Sequence, residues 1–293
     1  MFTGFKSVSV SVGDYNITGV TGGQGPALLL LHGYPQTHVM WHKVAPALAT
    51  RFTLVIPDLT GYGNSGKPVT DATHTPYSKR AMGNDMLSVM QQLGHDSFYL
   101  AGHDRGGRVA HRLTVDHSEH VRRVAVLDIA PTREMYAQVS DEFARAYWHW
   151  YFLIQPAPFP ERMIMADTDA YLEHKCGLSG NGLDIFDTEA LECYRAAFRN
   201  PDTVHAACED YRAAASIDIE HDDADDALGR RIDCPLLVLW GEAGVIERCF
   251  DPLALWRLRA GNVRGTALPG GHYLAEQHPS HVVEQLLTFF SET

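Results

Sequence analysis

The run Phe98-Tyr99-Leu100-Ala101-Gly102-His103-Asp104-Arg105-Gly106-Gly107-Arg108 starts as an apolar strand and ends as the opening of a helix. A continuous apolar stretch of this kind marks a strand buried on both faces, as in a parallel sheet. Glycines at 102, 106 and 107 allow a turn too tight for Cβ atoms. The spacing is that of G-x-S-x-G with aspartate in the serine position, the strand-to-helix turn that lifts one side chain above the sheet. Asp104 is that side chain. Aspartate also caps helices, so the plainer reading is an N-cap for a helix from Arg105. The strand before, the helix after and the glycine spacing together favour a nucleophile.

Outward from this turn the pattern repeats. Ala27 to Leu31, Phe52 to Ile56, Val124 to Leu127 and Pro235 to Trp240 are further apolar runs. Arg80 to Leu93 sets Met82, Met86, Val89, Met90 and Leu93 on one helical face. Alternation of this kind predicts a mostly parallel, doubly wound α/β sheet. Ser7 to Val12 and Tyr15 to Val20 alternate with period two and predict an antiparallel hairpin before it. After Pro131 the strand runs stop, and the helical and aromatic-rich sequence predicts an inserted helical cap. The expected division is residues 1–130 as the first part of the core, 131–226 as the cap and 227–293 as the second part of the core. Asp218, Glu220, Asp222, Asp223, Asp225 and Asp226 crowd the end of the cap without the glycine-containing spacing of a calcium loop. They read as a solvated connector. A last strand near Thr266 to Leu268 and a helix from His281 to Phe290 complete the core.

Twenty-four Lys and Arg against 36 Asp and Glu give the 293-residue chain a net charge of -12. A polyanion meets net repulsion, so nucleic acid is not an expected partner, and a small anion needs a locally basic pocket. The five cysteines form no C-x-x-C pair, which points to reduced thiols rather than a disulfide frame or zinc site. No apolar stretch is long enough to span a bilayer. The expectation is a cytoplasmic protein acting on a small molecule, with no membrane partner, no metal and no cofactor.

Aspartate in place of serine changes the chemistry. A carboxylate is ionised at neutral pH without a base, so it can attack carbon, displace a leaving group and become an alkyl ester. Water must then hydrolyse that ester, and this step needs a base. His272, in Pro269-Gly270-Gly271-His272-Tyr273, follows the last strand, where the chain order nucleophile, acid, histidine puts the base. The backbone N–H groups of Tyr34, in His32-Gly33-Tyr34-Pro35, and of Arg105 are the expected oxyanion hole. For the acid, Gly244 stands where the loop after the penultimate strand would carry it. Asp128, at the carboxyl end of the Val124 strand, is preferred, with Glu242 and Glu247 as alternatives.

Gly102 to Arg108, with Asp128 in Leu127-Asp128-Ile129, resembles the fluoroacetate dehalogenases of the α/β-hydrolase superfamily. The likeness extends to Asp58-Leu59-Thr60-Gly61-Tyr62-Gly63, to Ala144-Arg145-Ala146-Tyr147-Trp148-His149-Trp150-Tyr151-Phe152 and to Pro269-Gly270-Gly271-His272. The first and last of these are widespread in the superfamily, whereas Asp-Arg-Gly-Gly-Arg and Tyr-Trp-His-Trp-Tyr are narrower. The resemblance implies the α/β-hydrolase fold, hydrolysis of haloacetate to glycolate and halide, and a homodimer. It also implies that Arg105 and Arg108 bind the substrate carboxylate while His149, Trp150 and Tyr211 donate hydrogen bonds to the leaving halide. Spacing alone allows plainer roles. Arg105 and Arg108, three apart, share a helix face and would serve as salt-bridging residues. Phe143, Tyr147, Trp150, Tyr151 and Ile154 form the stripe of one core-packed helix. Gly177-Leu178-Ser179 departs from the Gly-Trp-Gly expected of the family's cap, and Leu178 implies a roomier pocket, so the sequence leaves open the ranking of fluoroacetate against chloroacetate, bromoacetate or longer 2-haloacids.

Three other readings share parts of this pattern. Epoxide hydrolases have the aspartate nucleophile, the His-Gly-x-Pro loop and a cap, but a guanidinium beside the nucleophile suits an anion better than an epoxide. Haloalkane dehalogenases usually carry Trp after the nucleophile, where this chain has Arg105. A non-catalytic binding protein on a hydrolase scaffold has no need of Asp104, Asp128 and His272 together.

Overall fold

The computed structural model describes residues 1–177 and 182–292. Leu178 and Ser179 lie outside the described residues. Among the described residues one eight-stranded sheet organises the chain, with β1 (Lys6–Val12), β2 (Tyr15–Gly23), β3 (Ala27–Leu31), β4 (Thr53–Pro57), β5 (Phe98–His103), β6 (Val121–Leu127), β7 (Leu236–Gly241) and β8 (Val263–Leu268) in the order β1-β2-β4-β3-β5-β6-β7-β8. β1 pairs with β2 and β2 with β4 antiparallel, and all other pairs are parallel. The predicted hairpin and mostly parallel sheet are therefore both present. Every residue of β3, β5 and β7 is buried, as their unbroken apolar sequences require of central strands covered by helices on both faces. β1, at the edge, buries only Val10.

Helix Lys79–Gln92 fills the segment read as Arg80 to Leu93, and Pro279–Ser291 that read from His281. No described helix is long and apolar enough to cross a membrane. All helices from Thr132–Ala137 to Ile217–Leu228 fall between β6 and β7. Two details of this insertion differ from the sequence reading. The aromatic stripe is not one helix but two, Asp141–Ala146 and Trp148–Leu153, separated at Tyr147. The break rotates the second helix, so that His149, Trp150 and Leu153 are buried while Tyr151 and Ile154 are only partly so.

The acidic stretch is not a solvated connector. It is the helix Ile217–Leu228, which runs across the expected boundary at 226, and Asp218, Asp222 and Asp225 on it are buried. Each meets a cation from the core. Arg112, on helix Arg105–Asp116, reaches Asp222 at 2.7 Å and Asp225 at 2.5 Å, and Arg259 reaches Asp226 at 2.7 Å and Glu134 at 2.5 Å. Composition gave no sign of this, because the cations lie more than 100 residues upstream or about thirty downstream and only folding brings them in.

Candidate active site

The site is assembled at the carboxyl ends of the parallel strands. The turn after β5 is as tight as its glycines foretold: a Cβ at Gly106 would lie 2.3 Å from the His32 carbonyl oxygen. Asp104 itself sits at φ +45°, ψ -113°, a conformation that costs an L-residue of order 1–3 kcal/mol. It makes no side-chain cap bond to its helix, so the plainer N-cap role is absent. Its Oδ2 instead accepts the Tyr34 backbone N–H at 2.9 Å. The Tyr34 loop is held by His32, whose Nε2 accepts the Leu59 N–H at 2.9 Å while Nδ1 lies 3.0 Å from the Gly33 carbonyl. Burial pushes the Asp104 carboxyl pKa up, but the positive charges of His272 and Arg108 outweigh it, and the net value falls to about 2. Asp104 is a carboxylate at any physiological pH.

His272 stands beside it, Nε2 4.0 Å from Asp104 Oδ1, and its Nδ1 is 2.7 Å from Asp128 Oδ2. The other Asp128 oxygen accepts the Gly241 N–H at 2.9 Å. Glu242 and Glu247 are exposed, and Glu247 accepts from the Trp240 indole instead. The glycine at 244 now has a physical reason: a Cβ there would lie 3.2 Å from Asp128 Oδ1. Asp128 occupies the space that an acidic side chain at 244 would need.

Arg105 and Arg108 leave the first turn of helix Arg105–Asp116 towards different partners. Both are buried, so neither forms a surface salt bridge. Arg105 is a fork on Asp210, with Nε 2.9 Å from Oδ2 and Nη2 2.6 Å from Oδ1, and it stacks 4.2 Å above the Tyr211 ring. Arg108 has no carboxylate partner among the described residues. Its Nη1 donates to the Ala130 carbonyl at 3.1 Å and to Thr132 Oγ1 at 2.9 Å, and it stacks 4.7 Å from the Trp150 ring. Arg105 Nη1 and Arg108 Nε are buried without a hydrogen-bond partner.

The aromatic wall has the same property. His149 Nδ1, Trp150 Nε1 and Tyr211 OH are buried and unpartnered. The three rings converge: His149 lies 5.8 Å and Trp150 6.3 Å from Tyr211, centroid to centroid. Burial holds the His149 pKa well below the ordinary imidazole range, so the ring is neutral and carries one N–H. Buried polar groups without partners cost a few kcal/mol each, and five in one cluster, four of them fixed or hydroxyl donors, mark a place where a polar ligand belongs.

Asp104, His149 and His272 line a cavity of about 210 Å³ together with Tyr147, Lys175, Gly244 and Arg248. Arg105, Arg108, Trp150 and Tyr211 are not part of this lining; Tyr211 packs against His149, and Arg105 and Arg108 stack on Tyr211 and Trp150.

Three contributors were not legible in the sequence. Asp210 binds Arg105 and Lys79 from inside helix Pro201–Ala214, Lys175 enters from the last turn of Thr168–Gly177, and His103 Nε2–H donates to the His272 carbonyl at 2.8 Å. Asp210 and Lys175 sit in ordinary polar helix sequence with no motif around them. His103 was at hand in the turn itself, but its partner is 169 residues away.

Comparisons with known proteins agree with this architecture. The alpha/beta hydrolase fold family matches residues 26–281. The fluoroacetate dehalogenase of Burkholderia sp is 48% identical over 293 residues, 100% of this chain and 96% of that protein. The soluble epoxide hydrolase of Corynebacterium sp. (strain C12) is 31% identical over 96% of this chain and 95% of its own. A crystal structure from Nostoc sp PCC 7120, of a protein assigned as an alpha/beta hydrolase, has 49% identity and a TM-score of 0.98, covering 100% of both chains. With its aspartate turn, its parallel sheet and these full-length similarities, the chain belongs to the alpha/beta hydrolase fold family, in the group that includes the Burkholderia fluoroacetate dehalogenase.

Proposed function

We propose that this protein hydrolyses haloacetate to glycolate and halide. The observation that carries the reading is the company Asp104 keeps: an ionised carboxylate on a strained turn, facing buried N–H and O–H donors that have no partner of their own. A substrate with an anionic end and an electronegative leaving group satisfies both sets.

In this scheme the haloacetate carboxylate lies against Arg108 and the free Nη1 of Arg105. An Asp104 oxygen attacks the halogen-bearing carbon, a C–O bond forms, and the carbon–halogen bond breaks with its electron pair leaving on the halide. His149, Trp150 and Tyr211 donate to that halide as its charge grows, which matters most for fluoride, a poor leaving group. Water then enters between His272 and the new ester. The 4.0 Å between His272 Nε2 and Asp104 Oδ1 is spanned by one water with two hydrogen bonds. His272 takes its proton, the hydroxide adds to the Asp104 carbonyl carbon, and the oxyanion is held by the Tyr34 and Arg105 N–H groups. Collapse expels the glycolate oxygen, which takes the proton back from His272, and Asp104 loses the remaining hydroxyl proton to solvent and is restored as a carboxylate. Asp128 fixes the imidazole tautomer and stabilises its cation.

On the same reading residues 131–226 act as a cap over the site, the working location is the cytoplasm, in keeping with five free cysteines, and the assembly is a homodimer, as the family resemblance implies.

The test is halide release from fluoro-, chloro- and bromoacetate, run beside hydrolysis of a neutral epoxide. Halide and glycolate in equal amounts are expected, with label in the Asp104 carboxylate after one turnover in heavy-oxygen water. Epoxide hydrolysis without halide release overturns the reading in favour of the epoxide hydrolases that share this scaffold.

A further inference from the structure

Arg105 and Arg108 do not supply two free charges. Arg105 is committed to Asp210, and Lys79 lies between Asp210 and Asp218, so these two cations meet two carboxylates. A substrate carboxylate approaching the Asp104 carboxylate therefore meets one uncompensated guanidinium there, Arg108. The wall of the cavity holds another unpaired cation. Lys175 lines it together with Asp104, His149 and His272, and is 7% exposed. Among the described residues no carboxylate forms an ion pair with it, and Leu178 to Asn181, which follow it closely in the chain, contain no acidic residue. Arg248, the remaining cation of the lining, is tied to Glu142 at 2.9 Å.

Two ordinary explanations for a buried lysine apply only in part. Lys175 is in the last turn of helix Thr168–Gly177, whose carbonyls favour a cation. Its Nζ is also 6.0 Å from the ring centroids of both Tyr34 and Tyr273, at the outer limit of a cation–π contact. Neither supplies a counter-charge. Asp104 is the carboxylate whose field it feels, and burial still lowers its pKa. The position is informative: Tyr34 gives its N–H to Asp104, and Tyr273 follows His272. Lys175 thus stands at the wall of the cavity that Asp104 also lines.

We propose that Lys175 is a substrate-binding residue of this site, whose ammonium group draws a small carboxylate into the cavity and holds it before it reaches Arg108. The inference rests on an anionic substrate, as in the proposed function. It adds the second free charge that an anion needs beside Asp104, and places it at the cavity wall rather than at Arg105. Such a group acts on capture, so its effect belongs in KM and in the salt dependence of kcat/KM, not in the chemical step.

The experiment compares the parent protein with Lys175→Met and Lys175→Arg, using fluoroacetate at several salt concentrations and glycolate as a competing anion. Methionine has similar length and removes a buried charge, so folding should hold, and the thermal midpoint checks it. Lys175→Met is expected to lower kcat/KM about tenfold through KM, with kcat within about twofold, a flatter salt dependence and about tenfold weaker glycolate binding. Lys175→Arg is expected to recover most of the loss. Unchanged kcat/KM and salt slope in Lys175→Met overturn the proposal, as does a loss confined to kcat. If the parent releases no halide at all, the proposed reaction fails, and glycolate binding measured directly still decides the lysine: equal affinity in parent and Lys175→Met overturns it.

Discussion

Asp128 holds His272 from the end of β6, two strands away from β8, Oδ2 to Nδ1 at 2.7 Å, while its own backbone sits at φ +51°. The second oxygen is fixed by the Gly241 amide, so the carboxylate cannot swing away. The pair leaves Nε2 as the only imidazole nitrogen open to water on the Asp104 side. Asp128→Asn is therefore expected to leave ester formation on Asp104 nearly intact and to slow ester hydrolysis by about 10³ to 10⁴, the scale of the related change in serine proteases. Mass spectrometry after substrate exposure should find the alkylated protein accumulating. Glu242→Gln should behave as the parent, because Glu242 is exposed and outside this relay.

Trp150→Phe removes one N–H from the cluster and keeps most of the packing. If that N–H stabilises the departing halide, kcat falls about 10²-fold or more on fluoroacetate and less on bromoacetate, whose leaving group needs less help. Tyr211→Phe should shift the ratio in the same direction. Equal losses on both substrates would mean that the rings only pack. The comparison of the two halides, made by ion-selective measurement of release, separates these outcomes.

Asp210 is fully buried between Arg105 and Lys79. Asp210→Asn leaves buried Arg105 without its carboxylate and Lys79 with Asp218 alone, and should destabilise the protein by about 3–5 kcal/mol. Urea unfolding measures this directly. Fluoroacetate affinity should fall as well, despite the gain in positive charge, because Arg105 loses the fork that sets its orientation.

Acid should weaken the fold before it protonates Asp104. Burial, with Arg112, Arg259 and Arg108 nearby, pushes the His111 pKa well below the ordinary value, and burial pushes His103 down to about 3. In the unfolded chain these imidazoles take up protons below about pH 6.5. The unfolded state then binds more protons than the folded one, so stability is full above that pH and is lost as pH falls, at about 1.4 kcal/mol per unit for each such histidine. His111→Leu, which places an apolar side chain beside Trp256, should reduce the slope of unfolding free energy between about pH 7 and pH 5 by one histidine's share. Over the same range the single-turnover rate of ester formation should stay flat, since Asp104 at about 2 remains ionised.

The strand runs, the glycine turn and the order of Asp104, Asp128 and His272 were legible in the sequence because each is a local rule: apolar continuity for buried strands, glycine where Cβ atoms collide, an acid at a strand end. The break at Tyr147 escaped the helical periodicity, because it depends on how the aromatic rings fit the core and not on their spacing. The acidic helix Ile217–Leu228 was misread for a related reason: whether an aspartate is solvated is decided by distant arginines such as Arg112 and Arg259.

The sequence by itself therefore determined the sheet, the turn that carries Asp104, and the order in which Asp104, Asp128 and His272 reach the sheet's rim. Only the tertiary structure decided which charges are free. Arg105 and Arg108 look alike in the sequence, yet Arg105 is bound to Asp210 and Arg108 to neutral oxygens. Lys175, in a helix far from the turn, shares a cavity with Asp104. Charge compensation depends on distance in space, and sequence separation carries almost no information about it.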